Sequence, residues 1–440
     1  MKALDSRIWV SILYFGLALV PLVVAVAPPR PPGRAFWIEL SMAVGFIALS
    51  QLALQFALIA RFERISSPFG IDLIMQYHRQ IGILTMFLVL AHPIVLLAVR
   101  PAYASMLNPF GGTLASRTGV WSIVALLLLV AFSLWRRQLR IGYELWRVTH
   151  AVLAIATLGL AQLHVSLAGI YVNAPWKNRV LILWCLIFVS LILYLRMIKP
   201  ILLARRPWTI AEIRPEAAAT WSVRLEPEGH GGLRFAPGQF AWLKVGSSPW
   251  NLAEHPFSFS SSAEQHGSLE FGIKELGDFT NGIGKVSIGT RAFLDGPHGS
   301  FSIDHHPANG YVFIAGGIGV SPILSMLRTL ADRRDRGSHT LVYACSRWDR
   351  IAFREEVEML AAKLDLQIVY VLEEPHEGWS GPTGFITREV LETVVGRGFD
   401  GHKRPVFICG PDPMMSAVER SLSELGIPQQ QIHMERFNLV

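Results

Sequence analysis

Hydrophobic residues fall along this chain in three textures. Through the first 200 residues they form runs of near twenty, at about 8–27, 36–60, 76–99, 118–135, 144–168 and 178–198. About twenty apolar residues, rising about 1.5 Å each, cross the roughly 30 Å hydrocarbon layer of a bilayer. The pattern predicts six membrane-crossing helices, which return the chain to its starting side. Ala25-Val26-Ala27 resembles a signal-peptide cleavage site, but the apolar run before it is longer than such peptides carry, so it is read as the first span. Beyond Pro200 the texture becomes alternating, with β-branched and aromatic stretches between Gly and Pro: Trp208–Ile213, Thr220–Leu225, Phe240–Val245, Leu269–Ile273 and Thr290–Leu294. Short strands at this spacing predict a small antiparallel barrel. From Tyr311 apolar strands (Val312–Ala315, Thr340–Ala344, Gln367–Val371, Pro405–Cys409) alternate with helical stretches, the pattern of a parallel α/β sheet.

The expected architecture is therefore a multidomain membrane protein. A six-helix transmembrane bundle (1–200) precedes an antiparallel β-barrel (201–305) and an α/β Rossmann-like domain (306–440). Composition sharpens this. Hydrophobic residues make up 51% of the 440 and charged residues only 17%, with a net charge of +7. No lysine-rich block or basic-aromatic patch accompanies that charge, so no nucleic-acid partner is expected. Basic membrane edges and anionic nucleotide ligands account for it instead. Cys185, Cys345 and Cys409 lack metal or disulfide spacing, which suits a reducing compartment. No calcium-binding loop or partner-docking tail is read, so no protein partner is expected.

Cations flanking the runs give an orientation. Arg61, Arg64, Arg136, Arg137, Arg140, Arg196, Lys199, Arg205 and Arg206 fall on one side, against Arg30, Arg34, Arg100, Arg117, Lys177 and Arg179. The positive-inside rule then puts the N-terminus and the soluble half in the cytoplasm, in a multi-pass plasma (inner) membrane protein.

Four histidines, His78, His92, His150 and His164, are the only ones before residue 201. Each pair, His78/His92 and His150/His164, is separated by fourteen residues. At about 100° and 1.5 Å per residue, that interval puts two imidazoles on nearly one helix face, roughly 21 Å apart along the axis. A lone intramembrane histidine more simply bonds a neighbouring helix. Four at a repeated interval, in a layer where ionisable groups are costly, point to ligation. Two such helices side by side offer two facing pairs, a cage for two b-type haems, because no C-x-x-C-H stands in the chain for covalent attachment. The metal ligands are then His78 with His150 on the inner side and His92 with His164 on the outer. Arg79 and Arg147 could meet haem propionates or simply snorkel to headgroups.

The soluble half carries motifs in a fixed order. Phe235-Ala-Pro-Gly-Gln-Phe240 leads to His255-Pro256-Phe257-Ser258, then to Ile273-Lys274 and Gly277-Asp-Phe279-Thr280. Gly296-Pro-His-Gly299 reads as the turn that closes the barrel. Gly316-Gly317-Ile-Gly319-Val-Ser321-Pro322 follows a strand and opens a helix, the setting of a phosphate loop. Ser346 and Arg347 end the next strand, and Cys409-Gly410-Pro411 ends a later one.

In this order and spacing the motifs resemble the ferredoxin–NADP reductase superfamily, and the His-Pro-Phe-Ser wording is similar to that of NADPH oxidases and ferric reductases. The six spans with their histidine pairs resemble the ferric reductase-like transmembrane family, a bacterial NADPH oxidase being the nearest match. The resemblance implies FAD held by the 255–258 and 273–280 segments, with Ser258 near the flavin N5 and Lys274 with the Gly277–Thr280 turn at the pyrophosphate. It implies a nicotinamide nucleotide on the 316–322 and 409–411 loops. Arg347 and Ser346 at a 2′-phosphate would favour NADPH, with NADH possible. In the family an aromatic near the C-terminus covers the flavin, which points to Phe437, although three residues follow it; Phe437 and Cys409 are the expected catalytic residues. The implied activity passes electrons from NADPH through FAD and two b haems to an acceptor across the lipid bilayer, either O2 or a ferric chelate. The competing reading is a haem-bearing anchor whose reductase half serves a cytosolic partner.

Overall fold

The computed structural model describes residues 2–62, 69–277, 279–396 and 404–436. The chain divides into two compact units, Met1–Lys199 and Pro200–Val440.

The first unit is helical. Its helices are α1 (Lys2–Val26), α2 (Phe36–Leu58), α3 (Ile71–Val99), α4 (Leu114–Leu134), α5 (Tyr143–Ala168) and α6, which begins at Pro175. All six are long and apolar enough to cross a membrane. Sorting by polarity is inverted relative to a water-soluble bundle. Phe15, Phe87 and Leu183 face outward at 67%, 59% and 58% exposure, while Ser41, Ser50, Thr85, Ser122 and Thr157 are buried. Lipid tails impose no penalty on exposed apolar groups, so small and hydroxylated residues collect where helices touch. Ser50 donates to Leu17 O at 3.1 Å and Ser122 to Thr157 O at 2.9 Å, each tying two helices together.

Helix ends follow local chemistry. Thr113 caps α4 by accepting from Ser116 N, and Gly169 ends α5 in the left-handed region at φ 68°. Pro175 occupies the first turn of α6, where its missing N–H costs nothing. Lys177 corrects one expectation. Counted among the flanking cations, it is fully buried, with Nζ donating to Ala25 O at 3.0 Å and Pro29 O at 2.9 Å.

The second unit begins with six antiparallel strands in the order β4-β3-β6-β1-β2-β5: β1 (Trp208–Glu216), β2 (Thr220–Pro227), β3 (Phe240–Val245), β4 (His255–Ser258), β5 (Leu269–Lys274) and β6 (Arg291–His298). A bridge between Phe259 and Phe271 brings the β4 and β5 edges together. Ile210, Val223, Leu225, Leu243, Phe259 and Phe271 fill the interior. Five parallel strands follow in the order β11-β10-β7-β8-β9: β7 (Val312–Gly316), β8 (Ser338–Cys345), β9 (Asp365–Leu372), β10 (Val406–Cys409) and β11 (Ile432–Met434). Helices α7 (Val320–Asp332) and α8 (Arg354–Ala361) pack on one face, α9 (Arg388–Gly396) and α10 (Asp412–Glu424) on the other. Every residue of β7 is buried, as a strand covered on both faces must be. The order reverses on either side of β7, and ligands of such sheets bind in the crevice at the strand ends there.

Strands β4 and β11 escape the alternation pattern because they are short, and β4 carries a proline. Pro256 opposes Trp242 on an outer strand of the sheet, where its missing donor is tolerated.

Helix α7 clasps the barrel to the parallel sheet. Ser325 donates to Ser261 O at 2.7 Å, Ala263 N donates to Thr329 Oγ1 at 2.9 Å, and Arg328 donates to both Glu270 (2.7 Å) and Glu356 (2.7 Å through Nη2). The helix that follows the glycine-rich loop is thereby fixed against β5.

Candidate functional site

The membrane unit brings the four histidines together in two pairs. Ring centroids are 6.2 Å apart for His78 and His150, and 6.4 Å apart for His92 and His164. An imidazole–metal bond of ~2.0 Å puts the ring centre about 3.2 Å from the metal, so two rings flanking one ion stand about 6.4 Å apart. Both gaps fit one metal atom held from opposite sides. Among the described residues no cluster of three or more His, Cys, Asp or Glu could hold a metal ion. Two imidazoles facing each other at this distance fit a bis-histidine site.

Each ring is oriented by its Nδ1 atom. His164 Nδ1 lies 2.7 Å from Ala115 O, and His92 Nδ1 lies 2.9 Å from Ser41 O. A carbonyl only accepts, so both nitrogens carry the proton and Nε2 keeps its lone pair. His150 Nδ1 is 3.0 Å from Ser133 Oγ, whose own hydrogen goes to Leu129 O at 2.7 Å, which makes this nitrogen a donor too. The Gln55 carboxamide is satisfied when its nitrogen donates to His78 Nδ1 at 2.6 Å and His78 O at 3.2 Å, which makes His78 Nδ1 an acceptor and sets this ring apart from the other three. Three of the four imidazoles are thus held in the tautomer that ligates through Nε2.

In the soluble unit, His255 stacks on Phe279 at 4.4 Å, and Phe257 lies 6.0 Å from the same ring. The His-Pro-Phe-Ser strand and the Gly277–Thr280 turn therefore meet, with Ser258 buried opposite Phe240. Thr280 Oγ1 accepts from Leu276 N at 2.8 Å and Gly277 N at 3.0 Å, so these donors close the turn upon itself. Ile273 is buried in the barrel, and Lys274 at the end of β5 pairs with Thr220.

The two glycine loops also meet. A Cβ on Gly319 would stand 2.2 Å from Cys409 O, and one on Gly410 would stand 3.0 Å from the Gly316 backbone. Gly317 has φ 53° and open space where its Cβ would be, at the mouth of α7. The donor geometry of a glycine loop opening a helix fits a pyrophosphate there. Ser321 turns the other way, toward Gly272 of β5, and Pro322 is buried in the first turn of α7. Pro411 caps α10 beside this loop.

Cys409 is 1% exposed, and burial, with Glu435 nearby, pushes its thiol well above the ordinary range. It presents a thiol rather than a thiolate. Ser346 follows β8, its carbonyl accepting from Glu374 N at 2.8 Å. Arg347 forks onto Asp349 at 3.0 and 3.2 Å with both side chains exposed. Phe437 lies outside the described residues.

Two residues escaped the motif reading. Glu435 is buried, with its carboxylate 2.6 Å from where a Gly299 Cβ would stand. The Tyr343 hydroxyl is 3.2 Å from Gly317 O and 3.1 Å from Ala352 O, buttressing the phosphate loop from below. A tyrosine in mid-strand of a buried sheet needs such an acceptor, which is the one signal the sequence held.

Family comparisons agree with this geometry. Residues 44–161 match the ferric reductase like transmembrane component, 220–319 an FAD-binding domain and 313–420 the oxidoreductase NAD-binding domain. The chain is an oxidoreductase with a ferric reductase-like transmembrane domain. The oxidoreductase is 30% identical over 229 residues to the stachydrine N-demethylase reductase subunit Stc4 of Rhizobium meliloti (strain 1021), covering 51% of this chain and 64% of that protein. It is 32% identical over 171 residues to NADH-cytochrome b5 reductase 1 of Cryptococcus neoformans var. neoformans serotype D, covering 37% and 58%. The chain thus spans about 60% of these relatives' length. Among solved structures, the FAD/NAD binding domain of nitric oxide dioxygenase from Vibrio cholerae O1 biovar El Tor aligns with a TM-score of 0.46 at 22% identity, over 52% of this chain and 97% of that one.

Proposed function

We propose that the oxidoreductase moves electrons from cytosolic NADPH across the bilayer to an acceptor on the far side, O2 yielding superoxide. FAD, when bound, would accept a hydride and release electrons singly, and two b haems would carry them across. The observation that carries this reading is the pair of imidazole gaps, 6.2 and 6.4 Å, each wide enough for one metal atom between two rings.

The chain's own residues supply the rest. His78 with His150, and His92 with His164, would hold the two haems, which would supply one-electron transfer across the bilayer. The connections 27–35, 100–113 and 169–174 are short, which suits a small acceptor better than a bulky chelate. Gly317 and the start of α7 would cradle the nucleotide's pyrophosphate, and Ser258 lies on the strand that would meet the flavin. The Arg347–Asp349 pair is exposed, and such pairs contribute only about 0–1 kcal/mol. A 2′-phosphate with greater charge would displace Asp349 and take the guanidinium fork. With the membrane negative inside, outward electron flow gains about 2.3 kcal/mol per charge per 100 mV.

The test is a spectrum and a turnover assay. Purified chain is expected to show low-spin b haem reduced by NADPH only when FAD is present, and aerobic turnover with superoxide trapped. Protein without haem ends this reading. Turnover on ferric citrate without superoxide replaces oxygen with a ferric chelate.

A further inference from the structure

His92 and His164 each reach a backbone carbonyl in the N-terminal turns of a neighbouring helix. His92 lies against α2 at Ser41 O, and His164 against α4 at Ala115 O. Such a carbonyl already accepts from the N–H four residues on. Helical Cα–Cβ bonds lean toward the N-terminus, so the side chain of that fourth residue hangs over the carbonyl and screens it. Four residues after Ser41 is Gly45, and four after Ala115 is Gly119. A Cβ built on Gly45 would stand 3.2 Å from His92 Nδ1, and one on Gly119 would stand 2.9 Å from His164 Nδ1. The same device occurs twice, on two different helices. The other pair is arranged otherwise: His150 and His78 meet the side chains of Ser133 and Gln55.

We infer that Gly45 and Gly119 are positioning residues, each opening a slot in its helix so that a histidine can donate Nδ1–H to a backbone carbonyl and present Nε2 as a ligand. The second bond of this kind raises the basicity of an imidazole and fixes its plane. The backbone supplies the acceptor, so no side-chain change at residues 41 or 115 removes it; only filling the slot does. At Ser41 the hydroxyl adds a second contact, 2.9 Å from His92 Nδ1, while donating to His92 O at 2.8 Å. His164 meets only the Ala115 carbonyl, which it shares with the Thr118 hydroxyl at 2.9 Å, and faces the tighter glycine, so it is the more sensitive of the two. The inference rests on the reading of these histidines as haem ligands.

The test compares full-length wild type, Gly119→Ala, Gly45→Ala and Gly159→Ala, purified in detergent. Gly159 is a helical glycine with open space at its Cβ position and serves as control. Haem content per chain, low-spin electron paramagnetic resonance and reduction potentials are measured. Gly119→Ala is expected to weaken haem retention at one of the two sites by about 10–100-fold, the usual effect of losing an outer-shell partner. Its low-spin signal and potential shift while the other site's stay put. Gly45→Ala shifts in the same sense by less, and Gly159→Ala matches wild type. Unchanged signals and potentials in Gly119→Ala overturn the inference. So does an equal loss in Gly159→Ala, or loss of both haems together in both slot variants.

Nitrogen NMR of histidine-labelled, haem-free protein separates this from the functional reading. Wild type is expected to hold His92 and His164 protonated at Nδ1, and the slot variants to show mixed tautomers. Wild type that takes up no haem yet keeps both tautomers fixed would defeat the proposed function while sustaining the slots; mixed tautomers in wild type would defeat the slots.

Discussion

The two units place their chemistry differently. In the membrane unit all four candidate ligands sit inside long helices, with partners that are helix backbone or short side chains of the next helix. In the soluble unit the corresponding residues stand where strands end, on turns closed by their own hydroxyls, as Thr280 closes residues 276–280. A bilayer leaves no water to satisfy exposed backbone, so ligands there must ride on regular structure. A soluble sheet can delegate binding to loops held by a rigid scaffold. The difference predicts that removing a membrane ligand abolishes its site outright, whereas removing a nucleotide-site residue only weakens binding.

The largest effect is expected at the membrane histidines. His164→Ala should halve haem content and lower transmembrane electron delivery by more than about 100-fold, beyond the cost of outer-shell changes, while NADPH oxidation by a soluble dye continues. Equal loss of both activities would erase the distinction between the units.

Next comes the clasp on α7. Arg328 is largely buried between Glu270 and Glu356. Removing one partner of a buried ion pair strands the others, at a cost of about 3–5 kcal/mol. Arg328→Ala should therefore lower the stability of the soluble unit by that order in a denaturant titration, with haem spectra unaltered.

Smaller is the nucleotide preference. Arg347→Ala should reduce the ratio of kcat/KM for NADPH over NADH by about 10–100-fold, the effect of losing one charge-assisted hydrogen bond of roughly 1.5–3 kcal/mol. Asp349→Asn should raise the same ratio. A ratio unmoved by either change would remove the 2′-phosphate assignment.

The smallest concerns pH. Burial holds His339 below its ordinary value of 6.5, against the pull of Asp335 3.1 Å away. Its folded pKa lies below its unfolded one, so the unfolded chain binds the extra proton first, and stability falls as pH drops below about 6.5. His339→Leu should flatten that slope; a slope steeper than wild type would contradict the assignment of the buried neutral form.

Legibility in the sequence follows the same divide. The six spans and the pairing of His78 with His150 and His92 with His164 came from a regular rise and rotation, which sequence spacing encodes directly. The loops were legible only through residue wording. Nothing in that wording told that Ser321 faces β5, that Thr280 consumes the N–H groups of its own turn, or that Arg347 is already engaged by Asp349. These depend on contacts between segments far apart in the chain, as with Ser321 and Gly272, or on a single rotamer. Strands β4 and β11 were too short to alternate, and Glu435 and Tyr343 carry no local mark of the partners they meet.

Lys177 shows what such distant contacts impose on biogenesis. Its ammonium, sealed against Ala25 O and Pro29 O, has somewhere to go only once the first helix and its trailing turn have reached their places. The sixth span is thus completed by the first, and a polypeptide lacking residues 2–29 is expected to leave that ammonium without its two acceptors and the bundle less tightly closed.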